Sequence, residues 1–357
     1  MKKLFALLLT LAMVLSLAAC GGSTGDSGNS GSSGGSTPPA STGGSGASDS
    51  SGGDAETSNW PQSAVTLTVS AGAGGGTDIC ARILLERLSD FGNFVVQNDT
   101  DGGGAVGWER VKAGDPETCS EVIFYNTGLY VSYVTGLTDI HPTEELVPVV
   151  CLPTGASQYI CVPKDSPFDT IQDLVDYAKE HPGELQCGVE LGSLSHVYVG
   201  LCAKNLGIDW TYVSTGSDND RITLLMGNNI DVTTINQATA QNYYDSGDIK
   251  VLAAEQGRSE ILGEKMAAVP TLEEAGFDKV DVNTELIVWA PAGAGDATYT
   301  AIFDAFKAAI DDEGTQAKLQ ESGAEYYCPF NSWKECYDNS VKNLQTITET
   351  CQTLGLC

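Results

Sequence analysis

Three times along this chain an extended segment runs into small polar residues and then directly into a helical pattern. That rhythm limits the possible folds more than any other feature. In the first case, "AVTLTV" (64–69) alternates Val65, Leu67 and Val69 with Thr66 and Thr68, the mark of a strand with one buried face. "AGAGGGT" follows, and then Ile79, Cys80, Ile83, Leu84 and Leu88 recur at helical spacing, with Arg82, Glu86 and Arg87 off the stripe. In the second, "LQCGV" passes through "ELGSLSH" into a helix carrying Val197, Leu201 and Ala203. In the third, "WTYVSTGSDND" passes into Ile222, Leu225 and Met226. Strands that alternate with helices predict an α/β protein with largely parallel sheets. Ligands of such sheets bind outside the carboxyl ends of the strands, so the expected crevice loops are 72–78, 188–196 and 214–220.

Further strands are expected at "EVIFYN", which ends in Asn126-Thr127-Gly128, and at "LVPVVCL", "SQYICVP", "DVTTIN" (ending at Asn236), "IKVLAAE" and "TELIVWAPAG". Helices are expected from about Thr298 onward. One helix is expected to be capped by Asp169, with Gln172 at the capping-box position, Ile171, Leu174, Val175 and Ala178 inward, and His181-Pro182-Gly183 as its stop. If "LVPVVCL" and "SQYICVP" pair about a turn near Ala156, Cys151 and Cys161 lie opposite each other, close enough for a disulfide; two small buried strand residues with free thiols are the alternative.

The N-terminus is set apart by composition. Lys2 and Lys3 precede an apolar run from Leu4 to Leu17, and Leu17-Ala18-Ala19-Cys20 closes it, which reads as a secretory leader over 1–19. The closing four residues resemble a bacterial lipobox, and that resemblance makes Cys20 the lipidated first residue of the mature chain. Residues 20–58 are almost entirely Gly, Ser, Thr, Asp and Pro and predict a disordered tether with a reach of roughly 30–40 Å. No other segment is apolar for long enough to span a bilayer. Loss of Lys2 and Lys3 takes the formal charge from −29 to −31, which argues against nucleic acid as a partner. Eleven cysteines, no C-x-x-C and three histidines give no metal-site spacing, and neither metal nor cofactor is expected.

"GAGGGT" misses the dinucleotide fingerprint because Thr77 stands where its last glycine would be, and no Lys-Ser or Lys-Thr follows to make a phosphate loop. What remains is a glycine loop opening a helix. Such an end carries unsatisfied N–H donors and partial positive charge, and it receives a carboxylate without a lysine or arginine. A bare structural turn is the alternative. Cys80 and His196 could be read as nucleophile and base, but Cys80 lies on the apolar stripe and His196 opens a helix, so no enzyme is expected. Asp78 is expected to stabilise the first helical turn, and Glu190 is read either as a solvated loop charge or as a pocket group.

"WPQSAVTLTVSAGAGGGTDICAR" resembles the opening of the Bug-type extracytoplasmic solute receptors of tripartite tricarboxylate transporters. The likeness continues through "ELVPVVCL", "TIQDLVDYAKEHPGEL", Gly192-Ser193-Leu194-Ser195-His196, "LLMGNNIDV", "VPTLEEAGF" and "WAPAGAG". It implies a two-domain periplasmic-binding-protein-like (type II) fold with a two-strand hinge and a ligand cleft between domains. Domain I is expected over 59–153 plus 286–357 and domain II over 154–285, with "SQYICVP" and "TELIVWAP" as the crossings. The resemblance also implies a monomeric receptor that delivers a small carboxylate to a large and a small membrane subunit. Carried over residue by residue, its ligand loops fall on Ala71, Gly72, Ala73, Gly74, Gly75, Gly76, Thr77 and Asp78, on Gly192, Ser193, Ser195 and His196, on Asn126, Thr127 and Gly128, and on Ser214, Thr215 and Gly216. Glu190 and Asn236 complete the candidate set. This sequence departs from the family in three places: Ala71 replaces an aromatic, Ser214-Thr215-Gly216-Ser217 lacks a lysine, and Glu190 stands before the Gly-Ser loop. A receptor for an ATP-driven transporter and a sensor for a signalling partner are the alternative readings.

Overall fold

The alternating residues of the first strand pack as their pattern demands: Val65, Leu67 and Val69 are fully buried. The computed structural model describes residues 58–256, 263–282 and 284–357; the leader, Cys20 and the tether up to residue 57 lie outside the described residues. The strands are β1 (Val65–Val69), β2 (Phe94–Asn98), β3 (Glu121–Asn126), β4 (Leu146–Pro153), β5 (Gln158–Pro163), β6 (Gln186–Val189), β7 (Thr211–Ser214), β8 (Val232–Asn236), β9 (Ile249–Ala254) and β10 (Glu285–Pro291). The helices are α1 (Gly76–Leu88), α2 (Ala105–Lys112), α3 (Gly128–Val134), α4 (Ile171–Glu180), α5 (Leu194–Leu206), α6 (Asp218–Met226), α7 (Gln237–Ser246), α8 (Glu264–Ala267), α9 (Asp296–Ile310), α10 (Glu313–Glu321) and α11 (Trp333–Thr353).

Two five-stranded sheets result, ordered β2-β1-β3-β10-β4 and β7-β6-β8-β5-β9. They share one plan. In each, a strand with parallel neighbours on both sides (β1, β6) marks the point where strand order reverses, the place where open α/β sheets leave a crevice. Each also holds one antiparallel strand, β10 in the first sheet and β5 in the second. Each sheet with its helices is called a lobe below.

The chain leaves lobe one after Pro153 and enters lobe two at Gln158, and it is back in lobe one at Glu285. The passages run side by side: Thr154 N donates to Thr284 O (3.2 Å), and Glu255 N donates to Gln158 O (2.8 Å). "SQYICVP" and "TELIVWAP" are therefore not the crossings. They are β5 and β10, the first strand formed after each crossing, and each lies within one sheet. The same fact decides between the two readings of Cys151 and Cys161, against the disulfide. Cys151 on β4 pairs with β10 and Cys161 on β5 pairs with β8 and β9, so the two belong to different sheets, and both are buried free thiols.

Core packing follows the stripes read from sequence. On α1, Cys80, Ala81, Leu84 and Leu88 are buried, and burying each leucine contributes about 1.5–3 kcal/mol. Cys80 is wholly enclosed, and burial drives its thiol far above the usual range. The cap of α4 differs from expectation. Thr170, not Asp169, is the N-cap, and it forms a capping box with Asp173 rather than Gln172, because the Thr170 side chain is the one that reaches the Asp173 amide (3.2 Å).

Candidate functional site

The first loop is built by glycine. Gly74 takes φ +78°, a left-handed conformation that costs other residues strain, and Gly75 N donates to Gly72 O at 3.1 Å. The turn sets Gly75 as the N-cap of α1, and the first helical bond runs from Ile79 N to Gly75 O (2.9 Å). A glycine has no side chain with which to cap, so the amides of Gly76, Thr77 and Asp78 have no acceptor among the described residues. Ala71, Gly72 and Ala73 form the approach to this end, and Gly72 and Ala73 are exposed.

Asp78 holds the loop rather than presenting itself to it. Its Oδ2 accepts from Gly74 N (2.8 Å) and Arg82 Nε (3.0 Å), and its Oδ1 accepts from Asn98 Nδ2 (2.9 Å) and pairs with Arg82 Nη2 (2.9 Å). Burial raises the carboxyl's pKa, but Arg82, the Gly74 amide and Asn98 outweigh it and hold the carboxyl below its ordinary value. Asn98 Nδ2 also donates to Ala71 O (3.0 Å), so β2 fixes both ends of the glycine stretch.

At the end of β3, Asn126 Oδ1 accepts from Gly128 N (2.8 Å). Thr127 is fully buried: its amide donates to Glu285 O (3.2 Å) and its Oγ1 accepts from Glu285 N (3.0 Å). The side chain of Thr127 thus ties the loop to β10.

The loop after β6 behaves differently, because it satisfies most of its own donors. Glu190 N donates to Ser195 Oγ (3.1 Å), Ser193 N to Glu190 O (3.1 Å), Ser195 N to Ser193 Oγ (3.2 Å) and Gly192 N to His196 Nδ1 (3.2 Å). Accepting at Nδ1 requires that nitrogen unprotonated, and burial lowers the pKa of His196; its ring stands edge-on to Tyr212 with centroids 4.7 Å apart. His196 is a loop-closing acceptor.

The loop after β7 has Ser214 exposed, while Thr215 N bonds back to Val189 O (2.8 Å). Gly216 O accepts from Arg221 Nη1 (3.0 Å), and Arg221 Nη2 pairs with Asp218. Asp218 in turn takes the Asn236 amide (3.1 Å), while Asn236 Oδ1 caps α7 through Thr239 N (3.0 Å). Arg221 is a residue that sequence reading missed, although its partner Asp218 lies within the expected loop 214–220. Its three-residue spacing from Asp218 on one helix, one step beyond the expected loop, was the available signal.

The loops of the two lobes face each other. A Cβ on Gly192 would lie 2.7 Å from Leu137, just after α3. Tyr125, on β3, has its hydroxyl pKa raised by burial and further by the charge of Glu190, and Tyr326 by burial and, among other charges, that of Asp218. The side chain of Glu190 reaches solvent, yet enough protein surrounds the carboxyl that burial raises its pKa, with Arg221 opposing and Asp218 and Asp220 adding to the rise. Among the described residues, the end of α1 offers backbone donors without an acceptor, and Glu190 has no ion-pair partner. Among the described residues no group of three or more His, Cys, Asp or Glu could hold a metal ion.

A family model described as "Tripartite tricarboxylate transporter family receptor" matches residues 81–349. The UPF0065 protein in gbd 5'region of Cupriavidus necator is 27% identical over 306 residues, covering 83% of this chain and 89% of its own. Among solved structures, the periplasmic binding protein BugD superposes with a TM-score of 0.71 at 20% identity, over 83% of this chain and 99% of that one. R. palustris Rpa4515 with adipate gives 0.72 at 23%, with the same shares. With the strand orders above, the fold is the two-lobed binding-protein type that the sequence led us to expect.

Proposed function

The chain belongs to the tripartite tricarboxylate transporter receptor family, a family of solute receptors rather than enzymes, and from that premise we propose that it captures a small carboxylate outside the cytoplasm and hands it to a large and a small membrane subunit. The observation that carries this reading is the bare N-terminus of α1. Three adjacent amides point from a helix end held rigid by Asp78, and a partly buried anion at such an end gains about 1–2 kcal/mol from the helix dipole besides its hydrogen bonds. The rest of 71–78, 126–128, 190–196, 214–216 and Asn236 shapes the crevice around it. The two domains are 59–153 with 286–357, and 154–285, closing by a hinge at the paired crossings. Cys20 carries the lipid that anchors the chain, which acts as a monomer.

Glu190 decides the far end of the solute. An unpaired carboxylate across the crevice repels a second carboxylate and favours a neutral or cationic group. Rpa4515 carries adipate, a dicarboxylate; this chain is expected to prefer a monocarboxylate with a neutral or amino-bearing end. A thermal-shift screen of mono-, di- and tricarboxylates against the full chain, followed by calorimetry on each hit, tests the proposal. Saturable binding of a carboxylate is the expected result, and tight citrate binding unaffected by Glu190→Gln would overturn the far-end assignment.

A further inference from the structure

Directly after β9 the chain buries an acid without giving it a partner. Glu255 is fully enclosed, and neither Oε1 nor Oε2 has a hydrogen-bond partner among the described residues. The Cys202 thiol on α5 eases its charge only a little, because a thiol is a weak donor. Placing an ionised carboxylate in such surroundings costs far more than placing the neutral acid, and burial raises the carboxyl's pKa to about 8. Cys161 on β5, Cys187 on β6, and Tyr198 and Cys202 on α5 each have their own pKa raised, in part by the charge of Glu255. All four therefore stay neutral in the range where Glu255 changes charge.

The same residue stands in the joint between the lobes. Its amide donates to Gln158 O (2.8 Å), where the chain enters lobe two, and its carbonyl accepts from Val280 N (2.8 Å), on the way back to lobe one. Gln256 extends the hold: its amide donates to Ser157 Oγ (2.9 Å) and its Nε2 to Val282 O (2.8 Å). The Tyr198 hydroxyl, which responds to the Glu255 charge, is hydrogen-bonded to Thr284, and Thr284 O accepts from Thr154 N. A charge formed on Glu255 thus arises among the bonds that tie the outward and return passages together. No lysine or arginine among the described residues pairs with it there.

We infer that Glu255 is a proton-operated lock on this joint: the neutral acid fits the packing, and loss of its proton loosens the bonds that hold the two passages side by side. The lock uses none of the residues assigned to the carboxylate site, so it is independent of that reading. In the unfolded chain a glutamate titrates near about 4, whereas the folded value is raised to about 8. Between the two, the folded chain keeps a proton that the unfolded chain has released. The stability supplied by the neutral acid is therefore complete below about pH 4, is lost as pH rises, and is gone above about pH 8.

The test is chemical denaturation of the full chain from about pH 5 to about pH 9, wild type beside Glu255→Gln, which has the size of the neutral acid and no charge. The ratio of the two unfolding constants is the quantity read, because other titrating groups cancel from it. It should move against the wild type by up to about tenfold per pH unit and level off above about pH 8. Hydrogen exchange at the Thr154 and Val280 amides, compared between the two chains at equal pH, should show protection falling in the wild type alone over the same range. Parallel stability profiles would overturn the proposal. So would diverging stabilities with equal protection at both amides, which would leave the joint untouched by the proton. A measurement on the wild type alone guards against a variant that does not fold: the infrared band of a protonated carboxyl should be lost with a midpoint near about pH 8, together with that protection. No band lost there would overturn the assignment.

Discussion

The loop after β1 and the loop after β6 occupy the same place in two sheets of the same strand order, and they treat their backbone donors in opposite ways. The first is mostly glycine, so it has no hydroxyl to close on itself. Its last residue, Asp78, holds it together with Arg82 and Asn98 from outside, and three helix-end amides have no acceptor among the described residues. The second places Ser193, Ser195 and His196 where their side chains take up the loop's own amides. One topological position thus yields a helix end with unaccepted amides in lobe one, which we propose as the anion socket, and a largely self-satisfied loop in lobe two. Family-like spacing therefore does not make the two loops equivalent.

The largest expected effect separates them directly. A Cβ on Gly75 would sit 3.1 Å from Gly72 O, so Gly75→Val should open the turn and screen the bare amides. Carboxylate affinity measured by calorimetry should fall about 100-fold, the loss of roughly 3 kcal/mol. Ser193→Ala in lobe two should keep affinity within a few-fold. Equal losses in both variants would erase the distinction drawn here.

Next in size is Asp78→Asn, which leaves Arg82 without its partner and weakens the hold on Gly74. Because Arg82 is half exposed, the cost should be about 1–3 kcal/mol at neutral pH, read as a lower melting temperature. The pH dependence has a definite sign. The native pKa of Asp78 is depressed, so its contribution is present above the unfolded value near 4 and disappears as pH falls through the native value. Wild type and Asp78→Asn should therefore converge in acid. A gap that persists below the native pKa would show that the ion pair is not its source.

The smallest effect is Glu190→Gln. Removing one charge across the crevice should shift preference toward dicarboxylates by roughly tenfold, about 1.4 kcal/mol, and reduce its dependence on salt. No change in the ratio of mono- to dicarboxylate affinity would return Glu190 to the status of a solvated loop charge.

Much of this was legible from local pattern. The run from Val65 through the glycines to Leu88 could be read because alternation, turn chemistry and helical stripe each depend on residues within a few positions of one another. The α4 cap was missed by one residue for an equally local reason: which of Asp169 and Thr170 reaches the N3 amide is settled by backbone geometry that the string does not encode. Arg221 escaped notice because the loop was cut at residue 220, although its pairing with Asp218 is a three-residue relation. The hold of Asn98 on Asp78 spans twenty residues and exists only because β1 and β2 lie side by side.

By itself, then, the sequence determined most of the strands, the strand-end loops and the bareness of the first helix end, since each follows from short-range sterics and from which residues lack a side chain, whereas β2, α2, α3, α7 and α8 went unread. Tertiary structure alone decided which sheet each strand joined. "SQYICVP" reads the same whether it pairs with β4 or with β8 and β9, and the choice placed Cys151 and Cys161 in different sheets. It also decided what the loops face. Strand partners and facing surfaces are fixed by burial summed over the whole chain, so no window of the sequence contains them.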